Sequence, residues 1–183
     1  MRNIRVLVLI LFFLPLLFCA NEREGAKQGL EKMGIEFNEP SFFEAVKGGD
    51  TEAVRLFLEA GFQPDVKNEN GKTPLMHAAE RGYIGLAKLL MEAGADVNAK
   101  DESGKTALMY AARSAQMELV EILIQSNEGL DSKDKLVLVQ DGADINVEDR
   151  SGMTTLTDMA MSDNSEIIPI LRKSGEKEEE RYR

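Results

Sequence analysis

A lone histidine, a lone cysteine, two Gly-Lys-Thr triplets and a scatter of aspartates are the residues whose types could carry chemistry in this 183-residue chain. Gly71-Lys72-Thr73 and Gly104-Lys105-Thr106 look like the end of a loop that cradles phosphate in backbone N–H groups. Such a loop needs another glycine five residues before the Gly-Lys pair, and Val66 and Ala99 stand there. His77 lacks the companions that a metal site or a catalytic triad requires. Asp131, Asp134, Asp141 and Asp144 lack the turn glycine and the terminal glutamate of a calcium loop. No nucleophile–base pair and no convergent pair of carboxylates is legible. The expectation is a chain without catalytic residues, cofactor or metal.

The elements around these residues explain them better. From Gly71 to Lys100 the chain reads as a helix–turn–helix unit with its own start and stop signals. Thr73 is a hydroxyl N-cap, and Pro74 occupies the first helical position, where a missing N–H costs nothing. Leu75, Ala78 and Ala79 then fall on one face, and Gly82 supplies the stop. A second helix carries Leu86, Leu89 and Leu90 and stops at Gly94, after which Asp96 and Asn98 enter an extended turn. Helices this short cannot bury their apolar faces alone, so similar neighbours are required.

Those neighbours are present. Leu75 lies 33 residues after Phe42, Leu108 lies 33 after Leu75, and Gly94 lies 33 after Gly61. A 33-residue period with Thr-Pro-Leu starts and a Gly-Ala-Asp-Val-Asn turn resembles the ankyrin repeat. The resemblance runs from about Gly34 to Gly175 and implies an all-α solenoid of about four helix–turn–helix units joined by fingertip turns. The units fall near 34–67, 68–100, 101–148 and 149–175. The third is out of phase, because Gly142 follows Gly94 by 48 residues, which places an insert at 126–140. That insert reads as a polar excursion broken by Gly129, or as one longer helix. In the fourth unit Thr155 replaces proline, Asp163 replaces the stop glycine and Pro169 interrupts the second helix. Terminal repeats drift in this way because one face meets water. Residues 176–183 form a charged tail.

Ahead of the repeats, Arg2 and Arg5 precede an apolar run from Val6 to Phe18, and polar residues begin at Asn21. This is the pattern of a signal peptide over residues 1–18. Leu16-Leu17-Phe18-Cys19 resembles the lipobox of bacterial lipoproteins, which implies lipidation of Cys19, although Phe18 stands where that family places a small residue. Cleavage near Ala20 and an uncleaved anchor remain the alternatives. Residues 19–33 would then be a tether leading into a capping helix, with Gly34 to Asn38 mimicking the later turns.

The net charge of −10 disfavours nucleic acid and anionic lipid headgroups. By resemblance, the partner is another protein, held on the concave face of fingertips and first helices. Carried over position by position, that face holds Lys67, Glu69, Asn70, Lys72, Glu80 and Arg81 in one unit. The next adds Lys100, Glu102, Ser103, Lys105, Arg113 and Ser114, and the last adds Glu148, Arg150, Ser151 and Met153. The expectation is an exported, membrane-anchored, non-catalytic interaction module, periplasmic or on the outer surface of a bacterial cell. An accessory protein with a small-ligand pocket beside the 126–140 insert is the alternative.

Overall fold

Short helices need partners for the orphan N–H groups at their start, and in four of them the side chain just ahead of the helix provides one. In the computed structural model, which describes residues 22–124, 144, 146–155, 157 and 168–169, the first helix α1 spans 22–32. Helix α2 (Glu39–Gly48) is capped by Asn38, whose side chain accepts the N–H of Ser41 at 2.9 Å. Asp50 does the same for α3 (Thr51–Glu59), accepting from Ala53 at 3.0 Å. Thr73 caps α4 (Pro74–Arg81), and Thr106, one period later, caps α6 (Ala107–Arg113). The partners α5 (Ile84–Glu92) and α7 (Met117–Ile124) complete the second and third units. Among the described residues there is no strand, and no helix is long and apolar enough to cross a membrane.

The helices stack in two rows. The inner row is α2, α4 and α6, with α4 packed on both of its neighbours, and α3 and α5 pack side by side behind it. Each inner helix is also packed against the outer helix that follows it. The apolar stripe predicted for α4, Leu75, Ala78 and Ala79, is the core and has no exposed surface; Met76 joins it, and so do Leu108, Ala111 and Ala112 on α6. The paired alanines let the two inner helices come close, since no longer side chain holds their backbones apart.

The stretch before the first unit is more than a tether. Ala26 and Leu30, one helical turn apart on α1, are buried, and Leu30 has no exposed surface. The end of α1 repeats the later outer helices. Ile35 donates its N–H to Leu30, as Phe62 does to Phe57 and Ala95 to Leu90, all at 2.9–3.0 Å. So α1 matches the second half of a unit, with no first half among the described residues. Only residues 33–38 join it to α2, whereas residues 60–73 and 93–106 join the later units through long fingers. In that finger's place is an aromatic cluster: Phe42 lies 4.5 Å from Phe62 and 5.3 Å from Phe57 between ring centroids, and Phe37 stacks on Phe57 at 5.6 Å. The Cys19 segment, the 126–140 insert and the charged tail lie outside the described residues.

Candidate functional site

Each finger is built on one side-chain oxygen. Asn68 Oδ1 accepts the N–H groups of Asn70 and Lys72, both at 3.0 Å. Asp101 Oδ1 accepts those of Ser103 at 2.8 Å and Lys105 at 2.9 Å, and Asp149 Oδ1 accepts those of Ser151 at 2.7 Å and Met153 at 3.1 Å. A backbone pair closes each loop, with Asn68, Asp101 and Asp149 donating to Lys72, Lys105 and Met153. Asn and Asp suit this place because their short side chains reach the backbone two residues on.

Adjacent fingers are tied to one another. Glu102 donates its N–H to the carbonyl of Asn70 at 3.3 Å, and Arg150 donates to Ser103 at 2.9 Å. The contact tolerates no side chain on the glycine beside it. A Cβ on Gly71 would lie 2.8 Å from the Glu102 nitrogen, and one on Gly104 would lie 2.9 Å from that of Arg150. Both glycines also have positive φ, 73° and 82°, where L side chains are strained. Further ties run along the finger bases: Lys67 Nζ donates to the Lys100 carbonyl at 2.8 Å, and the N–H groups of Asp96 and Asp144 reach Asp65 Oδ1 and Asn98 Oδ1.

The fingers enclose a groove of about 620 Å³, lined by Asn70, Lys72, Asp101, Glu102, Ser103, Lys105, Tyr110, Asp149, Arg150 and Ser151. Seven of these belong to the face predicted from the repeat register. The other predicted residues take different places. Glu80 pairs with Lys72, Nζ to Oε2 at 3.1 Å, and so steadies one wall from outside. Lys67 and Lys100 join two fingers, and Ser114 caps the end of α6. Met153 closes the last finger, while Glu69, Arg81, Arg113 and Glu148 are exposed outside the groove.

Asp101, Tyr110 and Asp149 were not foreseen. Tyr110 donates its hydroxyl to Asp101 Oδ2 at 2.6 Å, and Lys72 Nζ lies 4.0 Å from the centre of its ring. Burial alone would raise the Asp101 pKa. The hydrogen bonds from Tyr110, Ser103 and Lys105 outweigh it and hold the carboxyl below the ordinary aspartate value. Burial, then the Asp101 hydrogen bond and charge, push the Tyr110 hydroxyl well above its ordinary range. The recurring signal was in the sequence: Asn68, Asp101 and Asp149 each stand three residues before a glycine. The groove thus offers Lys72, Lys105 and Arg150 against Asp101, Glu102 and Asp149, with both Asp101 oxygens already taken.

Residues 42–135 match the family model of ankyrin repeats, in three copies. No curated protein matches the chain.

Proposed function

The chain belongs to the ankyrin-repeat family, and from that premise we propose that it binds another protein along its fingers, without catalysis. The observation that carries this reading is the groove: polar, even in charge, and walled by turns that hydrogen bonds hold in place. Pre-organised walls lower the ordering cost of association. Small-molecule sites are mostly apolar cavities with a few polar groups, whereas this groove suits a protein surface or an extended peptide. The non-catalytic reading is supported by the engagement of Asp101 and Tyr110 in structural hydrogen bonds.

Lys105→Glu combined with Arg150→Glu reverses two groove cations, and Lys88→Glu on the exposed side of α5 serves as the control. With the protein immobilised, capture of its partner should be lost in the double variant and kept in the control. Undiminished capture by a double variant of unchanged melting temperature would remove the groove from the binding surface.

The module works outside the cytoplasm, exported by residues 1–18 and held at a bacterial membrane through a lipid on Cys19, on the periplasmic side or the outer surface. The basic Arg2 and Arg5, the apolar run, the single cysteine at its end and the polar residues beyond support this. Expressed in a bacterial host, the parent should partition into detergent and Cys19→Ser should not. Identical partitioning would sink the anchor.

A further inference from the structure

His77 is the sole histidine of the chain, and its surroundings determine which nitrogen carries the proton. Its Nε2 lies 3.0 Å from Asn68 Nδ2. The Asn68 amide cannot be turned over, because its oxygen receives two backbone N–H groups at 3.0 Å. Turned by 180°, it would set an NH2 group against both donors. The next two fingers corroborate this, since Asp101 and Asp149, with only oxygens to offer, receive the equivalent N–H groups. Asn68 therefore donates, Nε2 accepts with its lone pair, and the imidazole proton sits on Nδ1.

An imidazolium would point an Nε2–H at the Asn68 NH2, donor against donor. Neither side has an easy way out. The amide is held by the finger backbone, and the half-buried ring packs edge-on against Phe43 of α2 at 6.0 Å. Lys72 on the finger, Lys47 on α2 and Arg81 on α4 all oppose a second positive charge there, and Glu80 alone favours it. On the adjoining inner helix α6, Tyr110 is already committed to Asp101. Burial first, and Lys72 next, hold the ring below the ordinary histidine value of 6.5.

We propose that His77 is a proton-operated latch on the first finger, tying residues 68–72 to α4 while neutral and releasing them on acidification. The second finger carries Asp101 and Tyr110 at the same two places, a pair that keeps its protons from mild acid to mild alkali. Acid therefore loosens one finger and leaves its neighbour closed. Asn70 and Lys72 form a wall of the groove, so binding weakens as that wall gives way. This last consequence rests on the binding reading above, while the latch itself does not.

The lowered pKa makes the sign of the effect definite. The latch's contribution to stability is complete above pH 6.5 and falls away as pH drops below it, because the unfolded chain then binds the proton first. With one histidine, nitrogen NMR of the labelled protein reads a single ring. At pH 7.5 it should show the proton on Nδ1, with a titration midpoint below 6.5. As the ring titrates, the amides of 68–72 and Glu102 should shift and lose about tenfold of their protection relative to the intrinsic exchange rate at each pH, while those of 103–105 hold. Asn68→Asp with His77→Tyr copies the second finger's pair into the first and should remove the drop in melting temperature between pH 7.5 and 5.5. A proton on Nε2 at pH 7.5, or still amides during the titration, would overturn the latch. So would the same pH dependence in parent and double variant. Should that variant not fold, the parent's tautomer and titration decide. None of these readouts involves a partner, so a failed capture experiment leaves them untouched.

Discussion

Asp65 and Asn98 do the same job with different chemistry. Each accepts an N–H from the following unit, at 3.0 Å from Asp96 and at 2.8 Å from Asp144, but only the amide does so without charge. Burial, opposed by the Asp96 N–H and aided by the Asp96 carboxylate, raises the Asp65 pKa above 3.8. A raised acid favours the fold below its unfolded value and loses that favour as pH rises through the folded one. Asp65→Asn should therefore raise the melting temperature at pH 7 by roughly 1–3 °C, with the gain vanishing below pH 3.8. An equal gain at every pH would show that charge is not the cause. Tyr110→Phe should cost about 1–3 kcal/mol in urea unfolding, because Asp101 Oδ2 loses its short donor. The positions of the finger residues were legible in the sequence because the 33-residue period carries each onto the next unit. The fate of each side chain was not. The repeat register places Lys72 on the concave face, and only the folded neighbours reveal that Glu80 and the Tyr110 ring hold it.

The starts of the inner helices were legible, since Asn38, Thr73 and Thr106 are residues whose side chains cap. Stops were legible where glycine marks them. Gly49 and Gly82 end two inner helices with φ of 71°, and in the third unit Ala115 takes the same left-handed place at 54°. No sequence signal announces an alanine there, because the neighbouring turns impose it. Ala115→Gly should stabilise the protein by about 1 kcal/mol in urea unfolding, against the usual penalty for glycine. In the fourth unit Thr155 stands where earlier units place Pro74 and Ala107, and its buried hydroxyl has no partner among the described residues. Thr155→Pro removes that hydroxyl and presets the first helical turn, so it too should raise the melting temperature. Gly104→Ala should act oppositely, losing about 1–3 kcal/mol to the left-handed backbone and the Arg150 contact. If it melted like the parent, adjacent fingers would not be in contact.

The solenoid as a whole could be read from its period, whereas the helical half-unit at its head could only be suspected. Gly25 and Gly29 are poor helix formers, yet Gly29 is where the Leu56 side chain approaches, within 3.1 Å of a would-be Cβ. Leu30→Ala should cost about 2–5 kcal/mol, and hydrogen exchange should place the loss in α1 and α3 before the later units. Uniform loss across the array would mean that the units do not stack as neighbours. The missing finger ahead of α2 has a further consequence, which concerns time. Among the described helices the main packing joins neighbours, so a chain leaving the ribosome need not wait for its distant end. With a link of only residues 33–38, α1 can dock on α3 once residue 62 has emerged, since the last ring of the aromatic cluster, Phe62, is then available. The half-unit is then a lid already shut on the side that emerges first, and each later finger is laid down against a finished surface.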